Sequence, residues 1–163
     1  MKSRIAYSRF AALLTAIVSV ILLVACVITV QEKPAFFALL VIILISVVSA
    51  LFYGAFYIEA DTANIIMGSI FKRKRIPMRE VVSVELFQPT MGAIRIFGSG
   101  GYMGYWGIFR EGDIGRYYAF YGKASDCFLV RTKNGDKYVL GCSNPEKMVD
   151  YINSQNLSEF KKE

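Results

Sequence analysis

Four consecutive cations, Lys72-Arg73-Lys74-Arg75, form the one basic run in the chain. A cluster of this kind attracts anionic headgroups, and each basic residue held at a membrane surface contributes about 1 kcal/mol. On a strand, alternate side chains point to opposite faces. Lys72 and Lys74 would then share one face, and Arg73 and Arg75 the other. A charged edge strand that also marks membrane orientation explains the same four residues. Further on, residues 98–107 interleave Gly98, Gly100, Gly101, Gly104 and Gly107 with Tyr102, Tyr105 and Trp106. This is not a phosphate loop. A dinucleotide fingerprint opening at Gly98 needs glycine where Met103 stands, and Gly122-Lys123 runs into Ala124 instead of Ser or Thr. The glycines instead allow sharp bends or close backbone approach. Tyr102, Tyr105 and Trp106 would form an amphipathic rim for a membrane surface or a partner groove. A purely structural loop capping the fold accounts for them equally.

Other chemistry is scarce. The chain has no histidine, which removes the usual neutral-pH base, the usual zinc or haem ligand, and the Ser-His and Cys-His pairs. Cys26, Cys127 and Cys142 make no CxxC pair, so neither a zinc site nor a dithiol motif is indicated. Glu59 with Asp61, and Glu111 with Asp113, have spacing that a metal or acid–base pair uses, but nothing joins them. No catalytic residue, metal or cofactor is expected. The net charge of +6 divides evenly between residues 1–58 and 59–163, which does not suit a nucleic-acid surface.

The elements that carry these residues start in a membrane. Residues 10–30 and 35–57 contain no charge, and each run exceeds the ~20 residues that cross a ~30 Å hydrocarbon core. In lipid such runs become helices, because every backbone polar group must be paired within the segment. A domain of about 105 residues has no core able to bury two helices that are apolar all round. The expected order is a flank at 1–9, membrane helices at 10–30 and 35–57, an external turn at 31–34, a folded domain at 58–157 and a tail at 158–163. Lys2, Arg4 and Arg9 before the first run and residues 72–75 after the second favour both termini in the cytoplasm. Leu23-Val24-Ala25-Cys26 resembles a lipoprotein signal, but the apolar run continues past Cys26 to Val30.

Short β signals separated by turns follow. Strands are expected at 57–60, 64–67, 70–76, 81–87, 93–97 and 116–121, with Val82, Val84 and Leu86 sharing a face. Asn134-Gly135 predicts a two-residue type I′ hairpin. Pairing outward from it sets Arg131 against Tyr138, Val130 against Val139 and Cys127 against Cys142. Ser143-Asn144-Pro145-Glu146 then opens a helix that runs to about Gln155 or Leu157.

This order resembles the pleckstrin-homology (PH) pattern, a bent antiparallel sandwich or barrel of seven or eight strands with a C-terminal helix. Tyr57-Ile58-Glu59-Ala60, Asn64-Ile65-Ile66-Met67-Gly68, Arg75-Ile76-Pro77-Met78 and Val81-Val82-Ser83-Val84 look like the opening of bacterial PH-like domains. The phrase from Phe97 to Gly107 is similar to the Gly/aromatic signature of one such family, typically found behind two membrane helices. The resemblance implies a mainly β PH-like domain and supplies no mechanism. In eukaryotic PH domains basic residues of the first hairpin bind phosphoinositide headgroups, and residues 72–75 sit nearby. The expectation is a non-catalytic binding or scaffold module in the bacterial inner membrane, partnered by the lipid bilayer and by a protein in the membrane or at its cytoplasmic face. A subunit of an oligomeric membrane assembly, with the helices carrying the function, is the alternative.

Overall fold

The computed structural model describes residues 1–90 and 92–160, with the side chains of residues 156–160 left out. Two long helices come first, α1 (Arg9–Ile28) and α2 (Lys33–Tyr53), joined by a 3-10 turn at Thr29–Gln31. Ser8 caps α1, its hydroxyl accepting the Ala11 N–H at 3.1 Å. Pro34 sits in the first turn of α2, where its missing N–H costs nothing. Helix hydroxyls are returned to the backbone: Thr29 donates to Ala25 O at 2.8 Å and Ser46 to Ile42 O at 2.8 Å. The protein covers almost none of either helix, with only Ala11 and Ala50 buried among their described residues. A core helix would be buried; apolar surface this bare calls for lipid or another apolar cover.

The flank before α1 is not a loose tail. Lys2–Arg4 forms strand β1 and pairs antiparallel with β2 (Tyr57–Ala60), Lys2 opposite Glu59 and Arg4 opposite Tyr57. The chain entering the helices and the chain leaving them therefore lie side by side. Sheet one runs β1-β2-β3-β4, with β3 at Asn64–Gly68 and β4 at Arg73–Pro77. The expected strand 70–76 is shorter, because Ile70 and Phe71 belong to the turn.

Sheet two runs β5-β9-β10-β8-β7-β6. These strands are β5 (Val81–Leu86), β6 (Ile94–Gly101), β7 (Gly104–Glu111), β8 (Gly115–Tyr121), β9 (Cys127–Thr132) and β10 (Lys137–Gly141). The two sheets form a sandwich, not a closed barrel, and α3 (Pro145–Phe160) seals it with Met148 and Ile152 fully buried. Among the described residues nine strands follow the helices, where seven or eight were expected, and β8 with β10 is a parallel pair in a domain expected to be antiparallel. The final helix reaches Phe160, past its expected end, and residues 161–163 of the expected tail lie outside the described residues.

Three local expectations fail for physical reasons. A bulge between Val81 and Ser83 turns Val81 inward and takes Val82 off the face it was expected to share with Val84, while Leu86 keeps that face but lies exposed at the end of the strand. The Asn134-Gly135 hairpin has a three-residue loop, with the Thr132 N–H donating to Asp136 O at 3.0 Å and only Gly135 at positive φ (81°). The register shifts by one: Arg131 faces Lys137, Val130 faces Tyr138, and Cys127 faces Gly141 instead of Cys142. A slip of one residue reverses the faces. Cys127 joins the outer apolar cluster of sheet two with Leu129 and Val139, whereas Cys142 joins the inter-sheet core with Phe128 and Leu140.

The glycine-rich stretch is also not a loop. It is the β6–β7 hairpin, in which Gly98 pairs with Gly107 and Gly101 with Gly104. Gly98 (φ 114°) and Gly107 (φ 115°) face each other so closely that a Cβ on Gly98 would lie 2.8 Å from the Gly107 Cα and collide with the Trp106 carbonyl.

Two outcomes are expected. Gly98→Ala should destabilise the protein by at least about 2 kcal/mol, since it joins a disallowed φ to a backbone overlap; thermal unfolding in detergent measures it. Burial raises the thiol pKa of both Cys127 and Cys142. Less thiolate is therefore present at neutral pH, and alkylation of either should await unfolding. Mass spectrometry after oxidant treatment should find no Cys127–Cys142 bond.

Candidate functional site

The last turn of α2, the edge strand β4 and the inner face of sheet two enclose a cleft. Its volume is about 230 Å³, and Phe52, Tyr53, Ser69, Lys72, Lys74 and Tyr118 line it. A larger neighbouring hollow of about 440 Å³ shares Lys74 and Tyr118 and extends to Arg116, Lys137 and Tyr138.

Backbone geometry puts each side chain there. Lys74 pairs with Met67 across sheet one, on the face where Met67 is buried. Lys72 lies two residues back, on the same side. Tyr118 and Tyr138 are direct partners in the parallel β8–β10 pair, with ring centroids 6.2 Å apart. The Lys74 ammonium sits over both rings, 4.2 Å from Tyr118 and 4.7 Å from Tyr138. The Lys72 ammonium lies 4.6 Å from the centroid of Tyr53, and Tyr53 stacks on Trp106 at 5.5 Å. Tyrosine faces hold cations through the ring quadrupole.

Neither cleft lysine makes a close ion pair among the described residues, although Asp136, in the neighbouring hollow, acts on Lys74 from a distance. The ion pairs among the described residues are Lys2–Glu59, Lys123–Asp126 and Arg131–Glu85, and none includes a cleft lysine. Burial pulls the Lys74 amine below the usual lysine range; Asp136 opposes that shift and Lys72 adds to it. Burial pushes the Tyr118 hydroxyl up, with Tyr53 and Tyr138 reinforcing it, so it remains a protonated donor. The Trp106 indole N–H is buried and has no acceptor among the described residues. A buried orphan donor costs about 1–3 kcal/mol, so an acceptor reaching it would bind more tightly.

The structure divides the residues that the sequence singled out. The four cations of residues 72–75 all stay solvent-exposed, but Lys72 and Lys74 lie toward the cleft, while Arg73 and Arg75 lie on the other face of β4. Trp106 stands behind the cleft, stacked on its wall residue Tyr53. Tyr105 points to the opposite face of sheet two and stacks on Tyr121 at 4.9 Å. Tyr102 lies in the hairpin tip between Gly101 and Gly104. The three aromatics thus form no common rim. Among the glycines, Gly98 and Gly107 make the tight hairpin pair, Gly100 packs beside Arg95, Gly101 beside Leu14, and Gly104 beside Tyr7. Tyr53, Tyr118 and Tyr138 escaped the sequence reading. Tyr53 is hidden in an apolar run, and the other two meet only through a strand pairing that no local pattern announces.

No curated protein and no solved structure matches the chain. A family profile does: the bacterial PH domain matches residues 56–156, from the entry into β2 through most of α3. That span is more than half of the chain and covers the sandwich, the cleft lysines and the glycine-rich hairpin. The chain therefore belongs to the bacterial PH domain family.

Proposed function

We propose that this protein is a membrane-anchored, non-catalytic binding module. Its helix pair holds the PH domain at the cytoplasmic face of a bacterial membrane, and the cleft takes the phosphate of an anionic lipid headgroup. PH-like domains are generally binding modules without catalysis, which agrees with the lack of histidine in the chain. The observation that carries the reading is the placement of Lys72 and Lys74, which make no ion pair among the described residues, over tyrosine rings, Lys72 over Tyr53 at the end of α2 and Lys74 over Tyr118 and Tyr138 beside it. If α2 crosses the bilayer, that end is where headgroups lie. The basic flanks Lys2, Arg4 and Arg9 support the cytoplasmic side. The pairing of β1 with β2 supports a common side for the N-terminus and the domain.

Trp106 is the sole tryptophan and stacks on the cleft residue Tyr53, so its fluorescence reports on the cleft through that ring. The full chain in neutral detergent should change its emission on titration with short-chain phosphatidylglycerol and much less with phosphatidylcholine. Lys72→Ala with Lys74→Ala should weaken that response roughly thirty-fold, from about 1 kcal/mol per cation. Equal response of wild type and double variant would remove the headgroup reading. Affinity should also fall as pH rises, and sooner than for an ordinary lysine, because the bound anion needs a protonated Lys74 and burial has lowered its pKa.

A further inference from the structure

Two turns of the domain, far apart in sequence, are attached to the sides of the helices rather than standing clear of them. The tip of the β6–β7 hairpin leans on α1. A Cβ on Gly101 would lie 2.8 Å from Leu14 Cδ2. The Met103 N–H donates to Thr15 Oγ1 at 3.0 Å, while the Thr15 hydroxyl donates to Ala11 O at 2.7 Å. On the other helix, the Phe71 N–H donates to Leu51 O at 3.2 Å and the Phe71 ring packs on Phe52 at 5.6 Å.

These attachments have a depth. Thr15 is six residues into α1, so the tip reaches about 9 Å along the helix axis. The helix has no such length to spare above a bilayer. If its first six residues stood outside, Thr15–Ile28 and the 3-10 turn that continues it to Gln31 would together span about 27 Å, short of a core about 30 Å thick even without tilt. We propose that the hairpin tip, Gly101–Gly104, and the Ile70-Phe71 turn are seated inside the leaflet beside the helices, so that lipid rather than water covers them. The proposal rests on the membrane-anchored reading above and adds that the domain itself is partly immersed.

Side-chain and backbone chemistry agree. Ile70 and Phe71 are 54% and 65% exposed, a poor arrangement in water and a natural one in acyl chains. Backbone in lipid must have its polar groups satisfied. At the tip, Thr15 takes the Met103 N–H, and the Ser99 hydroxyl donates to the Tyr102 carbonyl at 2.7 Å. Cations stand next to both turns, Lys72 directly after Phe71 and the Arg95 guanidinium along Gly100. Long basic side chains of this kind reach out to headgroups from just below them.

The test is thiol labelling of the full chain in phosphatidylglycerol-containing nanodiscs with a charged, membrane-impermeant maleimide, read by mass spectrometry. Phe71→Cys and Met103→Cys are compared with Lys133→Cys, an exposed position at the far hairpin turn. The native Cys26 in α1 reports insertion of the helix itself. Both new thiols should label at least about tenfold more slowly than Lys133→Cys, the loss of thiolate that one unit of pKa rise already gives in a low dielectric. Because protein covers little of Phe71, slow labelling there means lipid. Labelling at either site as fast as at Lys133→Cys, with Cys26 still protected, overturns the seat and leaves the anchor standing. Labelling of Cys26 as well overturns both.

Discussion

The pairing of Lys2–Arg4 with Tyr57–Glu59 is the constraint on which the rest depends. It ties the residues before α1 to those after α2, so the helix pair is an excursion from one edge of a sheet back to the same place. Further bonds close the neck. The Tyr7 hydroxyl donates to Ala55 O at 2.6 Å, the Ser8 N–H to Gly122 O at 2.9 Å, and the Ser143 N–H to Arg4 O at 2.9 Å. A tether joined by one strand would let a domain swing. Attachment through both chain crossings, to sheet one, to the β8–β9 connection and to the start of α3, fixes its attitude against the helices. The cleft inherits that attitude, because Tyr53 belongs to α2 while Tyr118 and Tyr138 belong to sheet two.

The sandwich also holds more apolar surface than two sheets facing each other would. Phe109, Tyr117, Leu129 and Val139 form a second buried cluster on the outer side of sheet two. With both faces of the sheet covered, β8, β9 and β10 carry near-continuous apolar runs, as parallel sheets do. The cations are therefore left to the sheet edge, where Lys74 spans from β4 to the tyrosines of the opposite sheet.

Much of this architecture was legible in the residues. The helices follow from uninterrupted apolar runs, the opening strands from their alternation, and the final helix from Asn144-Pro145-Glu146. What escaped was decided by contacts distant in sequence. Lys2-Ser3-Arg4 has no apolar periodicity and reads as charge, yet it becomes a strand because β2 offers an open edge. Glycine disfavours strands on average, yet residues 98–101 and 104–107 are strands, because glycine at 98 and 107 tolerates such close facing backbones. One extra loop residue at Lys133–Gly135 displaced the whole β9–β10 register and separated the two cysteines. In the candidate site the cations were visible and their aromatic supports were not, since Tyr53, Tyr118 and Tyr138 come from three elements.

The parallel pairing of β8 with β10 also decides what the cleft needs in order to exist. The β9–β10 hairpin closes over three loop residues and can form early, within microseconds for such units. Its docking beside β8 joins residues about twenty apart in sequence, without a turn to guide them, and pairings of that kind are slow. Tyr138 meets Tyr118 only at that step. The aromatic bed for Lys74 therefore does not exist within any one hairpin: it needs β10 laid beside β8 and then sheet one brought against sheet two.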